Sequence, residues 1–142
     1  MFKNKLVNIM VVLLLAIALV GTVTVIIINK VNVKATNGEP SIDEIIKYSS
    51  EIPEITTNLK NGDFIKISYT IQTSNKKAKE ELDKRDFQVK NLIIQQLAQM
   101  DSEQLKQKDS ITILEKTLKD KLNGIMQDGK VEKVYTTSFI LQ

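Results

Sequence analysis

The chain has 142 residues, with 20 basic and 17 acidic side chains, no histidine and no cysteine. Its length suits about one ordinary domain. Without thiols it can form no disulfide, thiolate metal site or lipid-modified cysteine anchor, and without imidazole it can hold no Ser-His-Asp triad.

From Leu6 to Ile28 no residue is charged, and the most polar members are Asn8, Thr22 and Thr24. A membrane-spanning helix needs about 20 mostly apolar residues, so 6–28 is predicted to span, preceded by a tail of residues 1–5. A cleaved signal peptide would share the basic start, and Val33-Lys34-Ala35 resembles a small-residue cleavage site. Its apolar region would be shorter, about 7–15 residues, so an uncleaved anchor is expected. Lys3 and Lys5 precede the span and Lys30 and Lys34 follow it. Counting nearby lysines is therefore a tie, and the amino terminus adds one positive charge to the tail, which tilts the count towards an inside amino terminus. These four lysines account for the basic excess. The remaining 16 basic residues face 17 acidic ones, all from Glu39 onward, which is a poor electrostatic footprint for nucleic acid.

Residues 29–53 read as a linker carrying one short helix. Asn37-Gly38-Glu39-Pro40 is turn-forming, and Ser41-Ile42-Asp43-Glu44 has the pattern of a capping box. Ile42, Ile45 and Ile46 follow at helical spacing, so an amphipathic helix is expected to about Tyr48. These isoleucines either dock on the domain or bind a partner.

A domain over 54–142 is expected beyond. Ile55–Lys60 and Phe64–Thr73 read as a β-hairpin about Asn61-Gly62-Asp63, with positive φ at two turn positions and Pro53 just outside the first arm. Ile65, Ile67, Tyr69 and Ile71 alternate with Lys66, Ser68, Thr70 and Gln72, the mark of a half-buried strand. Ser74 or Asn75 is predicted to cap a long helix to about Met100, its apolar stripe formed by Ala78, Leu82, Val89, Ile93, Leu97 and Met100. Glu80–Lys84 and Glu81–Arg85 have the favourable i,i+4 order. Arg85 lies near the stripe, as a paired or snorkelling side chain or as a subunit contact. Phe87 falls off it and could anchor an interface.

A break follows at Asp101-Ser102-Glu103-Gln104. A second helix is predicted over 110–127 from Ile111, Leu114, Leu118, Leu122, Ile125 and Met126, with Gly129 as its left-handed cap. Val131–Leu141 is a strand that either joins the hairpin or lies at an edge open to another subunit. The expected fold is α+β: a small antiparallel sheet with two helices on one face.

Reaction machinery is missing from this pattern. The five glycines form no phosphate-cradling loop. No acid cluster has calcium-loop spacing, and Glu80, Glu81 and Asp83 lie on a salt-bridged helix face. No enzyme activity, cofactor or metal is expected.

Several stretches resemble the FliL family of the bacterial flagellar basal body. They are 54-EITTNLK-60, the hairpin, 81-ELDKRDFQVK-90, Leu122-Asn123 six residues before Gly129, and 129-GKVEKVY-135 running on to 137-TSFILQ-142. Many members have Phe after the tyrosine, where this chain has Thr136. The resemblance implies a domain like those of stomatin-like proteins and a structural role, with the amino terminus inside and the domain outside the cytoplasmic membrane. It implies a ring of copies around the stator units, the ion-driven torque generators, in support of motility and chemotaxis. Implied partners are stator and basal-body proteins, membrane lipid and further copies of the chain, with no nucleic acid. Candidate contacts are Ile42, Ile45, Ile46, Arg85, Phe87, Tyr135 and Phe139. The alternative class is a single-pass sensor or secretion-system accessory, which a tail of only five residues disfavours, and a freely secreted binding domain would require cleavage.

Overall fold

The computed structural model describes residues 4–32 and 39–142. The tail lysine Lys3, the Val33-Lys34-Ala35 sequence and the Asn37-Gly38 turn lie outside them. The chain forms two units, one up to Glu39 and one from Pro40 to Gln142.

The first unit is a single helix, α1 (Lys5–Asn32), which runs past the Asn29 boundary read from the sequence. Its stretch Lys5–Ile26 is long and apolar enough to cross a membrane. The two threonines within it turn their hydroxyls onto the helix itself. Thr22 donates to the carbonyls of Ala18 and Leu19 at 2.9 and 3.0 Å, and Thr24 to that of Val20 at 2.7 Å. A hydroxyl satisfied in this way costs little in lipid.

The second unit is α+β. It begins with α2 (Ile42–Lys47), continues with β1 (Ser49–Asn58) and β2 (Phe64–Thr73), then α3 (Lys76–Lys84), α4 (Asp86–Leu97), α5 (Ser102–Leu105) and α6 (Ser110–Asn123), and ends with β3 (Val131–Leu141). The sheet is antiparallel in the order β1-β2-β3. β3 therefore joins the hairpin, and both β1 and β3 are edges. Ile65, Ile67, Tyr69 and Ile71 are at most 1% exposed, as the alternation of β2 predicts, but Gln72 of the other set is buried as well, at 8% exposed. Against them pack Leu82 of α3, Val89, Ile93 and Leu97 of α4, and Leu114, Leu118 and Leu122 of α6.

Several expectations are corrected. The first arm begins at Ser49, and Pro53 sits inside it at a register irregularity between Ile52 and Ile55, where a missing N–H does little harm to the ladder. The hairpin turn is a longer loop, with Asn58 opposite Phe64, and of its Asn-Gly pair only Gly62 has positive φ. The long helix is interrupted at Arg85. There one amide donates to the carbonyls of both Glu81 and Leu82, while the Arg85 carbonyl receives the amides of Gln88 and Val89. The turn tightens and α4 restarts at Asp86. Glu80 pairs with Lys76 at 3.6 Å instead of with Lys84. The predicted break at Asp101 holds a one-turn helix, α5, closed by a capping box between Asp101 and Gln104.

α6 stops at Asn123, short of Gln127, and Gly129 is not its cap. Asn123 instead turns its side-chain amide onto β3. Its Oδ1 accepts from the Val131 N–H at 2.7 Å, and its Nδ2 donates to the Val131 carbonyl at 3.0 Å. The side chain thus stands in for a neighbouring strand at that point of the edge. Asn123→Ala is expected to cost about 1–3 kcal/mol by leaving a buried amide unmet, read as a lower denaturant midpoint.

Candidate functional site

The capping box at Ser41 forms as its sequence implies: the Glu44 amide donates to Ser41 Oγ at 3.3 Å, and Glu44 reaches back to the Ser41 amide. None of the α2 residues is buried. Ile42 and Ile46 are 66% and 65% exposed, so the docking alternative fails for these two. Ile45 is half-buried. It lines a groove of about 420 Å³ with Pro40, Glu44, Tyr48, Gln72 and Thr73. The groove's floor is pinned, because Thr73 donates to the Tyr48 carbonyl from its amide at 3.0 Å and from its hydroxyl at 2.7 Å.

The seven candidate residues do not form one site. Tyr135 and Phe139 are four residues apart on β3 and would share a face of a regular strand. A register shift opposite Ser68 and Tyr69 leaves Thr137 unpaired, and one extra residue flips every side chain beyond it. Tyr135 pairs with Thr70 on the face away from the helices, and its hydroxyl donates to Gln72 Oε1 at 3.0 Å. That contact ties it to the α2 groove. Phe139 pairs with Ile67 and packs half-buried on the core. Phe87 lies apart on α4, 70% exposed.

Arg85 has internal partners. Its Nε donates to Glu81 Oε1 at 2.8 Å and its Nη1 to Gln88 Oε1 at 2.9 Å. Glu81 is the centre of this group. Its carboxylate also receives the Asp128 amide at 2.7 Å and the Gln127 amide at 2.9 and 3.0 Å. The i,i+4 spacing to Arg85 was visible in the sequence, but the clamp on a loop more than 40 positions away carried no local signal.

The Asp128 amide is the foremost cause holding the Glu81 carboxyl below its ordinary range; the Gln127 amide and Arg85 add to it, against partial desolvation. At Asp83 burial pushes upward, but Lys79 and the Ser50 hydroxyl outweigh it and the carboxyl is again lowered. Both groups ionise more readily folded than unfolded. Their contribution is present above the ordinary carboxylate pKa, 4.5 for Glu81, and drains as the pH falls through the lowered values. Glu81→Gln is expected to flatten the loss of melting temperature between neutral pH and about pH 3.

No group of three or more acidic side chains placed to hold a metal occurs among the described residues. The protein offers surfaces: the exposed isoleucines of α2, the groove beside them, and the part of the β3 edge beyond Thr136, whose amide donates to Glu115 Oε1 at 2.8 Å.

Residues 50–142 match the family described as flagellar basal body-associated protein FliL. The chain belongs to the FliL family. It is similar to the flagellar protein FliL of Bacillus subtilis (strain 168), with 47% identity over 107 residues, or 75% of this chain and 76% of that relative. The FliL match begins at Ser50 and takes in β1, β2, α3–α6 and β3. A structural role in the flagellar machinery follows from this membership. The exposed isoleucines of α2 lie outside the match.

Proposed function

We propose that this protein is a membrane-anchored accessory of the flagellar motor whose copies form a ring that associates with stator units and supports them in torque generation, motility and chemotaxis. The observation that carries the reading is FliL membership joined to one amino-terminal helix long enough to span a membrane. In this reading α1 anchors the chain with its amino terminus inside, in contact with lipid. The second unit, of the stomatin-like kind, lies outside. The α2 isoleucines pack on the stator just outside the membrane, and contacts through β3 and near Arg85 and Phe87 join neighbouring copies.

Cross-linking in intact motile cells tests this reading. Recovery of stator subunits is the expected result, and recovery of a kinase or translocase in their place would overturn it. Ile42→Ser with Ile46→Ser is expected to reduce swarming on soft agar while flagella still assemble. Both side chains are exposed, so the substitutions should shift stability by no more than about 0.5 kcal/mol each. Unchanged swarming with unchanged stator cross-links would remove α2 from the contact.

A further inference from the structure

Helices α4, α5 and α6 and the turns between them enclose a cleft of about 370 Å³. Sites for small ligands occupy about 300–1,000 Å³. The walls are rich in carboxamides: Gln96 comes from α4, Gln99 from the turn after it, Gln104 from α5 and Gln107 from the turn before α6. Met100 and Ile113 supply the apolar part. Among the described residues, Lys108 is the only charged member of the lining.

These groups are unspent. Among the described residues, the side chains of Gln96, Gln99 and Gln107 make no hydrogen bond within the chain, and Gln104 uses only its oxygen, which accepts the Asp101 amide at 2.9 Å. Lys108 enters no ion pair there either. The neighbouring acids are engaged elsewhere: Glu103 pairs with Lys106 at 2.8 Å, and Asp101 lies 3.9 Å from Lys60. Asp109, next to Lys108 in sequence, lies outside the lining. The turn that carries Gln107 and Lys108 is pinned at both ends. The Gln107 amide donates to the Gln104 carbonyl at 3.3 Å, and the Ser110 amide donates to the Gln107 carbonyl at 3.2 Å.

A carboxamide offers two donors and two acceptor lone pairs without a charge. A wall of them suits a ligand whose own groups are neutral and both donate and accept, as peptide groups and sugar hydroxyls do. Peptides are held by a free strand edge or by pockets for apolar anchors. Here the walls are helices, whose main chain is hydrogen-bonded internally, and only two apolar side chains line the cleft. Hydroxyls on neighbouring carbons of a sugar ring, in contrast, meet the oxygen and the NH2 of one carboxamide together, while Met100 and Ile113 meet the C–H face of the ring. Lys108, without a carboxylate of its own, calls for one negative charge on the ligand. We infer that this cleft binds an oligosaccharide that carries a carboxylate.

Calorimetric titration of the full-length chain in nanodiscs tests the assignment. The probe is peptide-free cell-wall glycan, alternating N-acetylglucosamine and N-acetylmuramic acid, in which the muramic acid provides the carboxylate. Saturable binding is expected. Chitotetraose, which has no charge, should bind about tenfold more weakly, the factor set by one hydrogen bond to a charged group. Lys108→Gln should weaken the glycan to the same level and leave chitotetraose unchanged. Gln99→Ala with Gln107→Ala, both at exposed positions, should abolish binding of either sugar with an unchanged melting temperature. Lys116→Gln, at an exposed position of α6 outside this lining, should change nothing. Absence of saturable binding, glycan binding undiminished in Lys108→Gln or in the double variant, an equal loss in Lys116→Gln, or equally tight binding of a blocked acidic peptide would overturn the inference. None of these probes contains a motor component, so their failure leaves the proposed function standing, and loss of stator cross-links in cells leaves the sugar site standing.

Discussion

Leu118→Ala is expected to remove about 2–5 kcal/mol of folding stability, the range for a buried leucine whose site cannot collapse. Leu118 is 1% exposed, midway along the Leu114, Leu118 and Leu122 stripe of α6, in one cluster with Ile67 and Ile71 of β2 and with Ile93 and Leu97 of α4. The cavity would open between helix and sheet, where both walls are regular elements held by their own hydrogen bonds. A domain of this size has only about 5–15 kcal/mol in total, so one substitution would consume a large share. Ile113→Ala, on the same helix at 61% exposure, should change stability by no more than about 0.5 kcal/mol. Urea midpoints of the two variants, compared with the unmodified chain, check both values.

Gly129→Ala is expected to be the most damaging glycine substitution among the described residues, for two separable reasons. Its φ is +105°, a region that costs a residue with a side chain about 1–3 kcal/mol. A Cβ there would also lie 2.9 Å from Ala78 Cβ and Ser74 Oγ and 3.0 Å from Asn75 Nδ2. Those neighbours cannot yield cheaply. Asn75 Oδ1 accepts the Ala78 amide and so caps α3, and Ser74 holds Lys130 through its amide and its hydroxyl. Overpacking of this kind adds about 1–3 kcal/mol. Gly62 has a similar φ of +91° but open space around it, so Gly62→Ala should show the backbone cost alone. The difference in melting temperature between the two variants measures the crowding at the start of α3. Equal losses would mean that the loop before β3 gives way.

Much of the fold was readable because its signals are periodic. The alternation of β2 and the stripes of α3, α4 and α6 repeat over several turns or residues, and each repeat reports the same buried face. The apolar run of α1 is plain from composition. What escaped was set by single residues acting at a distance. Pro53 argued against a strand, yet it sits at an irregularity that excuses it. Arg85 looked like a continuous helix position, because the interruption depends on main-chain sharing within one turn. The α6 boundary was misjudged because Ile125 and Met126 do pack on the core, while the termination comes from Asn123 reaching β3 and Glu81 reaching the loop. At the candidate surface, Phe87 was legible as an apolar residue off its helix stripe, whereas docking and partner binding stood open for Ile42 and Ile46 until their exposure decided it. The separation of Tyr135 from Phe139 was not legible, since Thr137 has no residue type that marks a bulge.

The order of the sheet also dictates an order of folding. β2 is the middle strand, and its second partner, β3, is synthesised only after all four intervening helices. Until β3 docks, one full edge of β2 lies unpaired and Val131 and Val134 are missing from the core. Pairings this distant in sequence are slow to form, and a chain waiting for them exposes apolar surface.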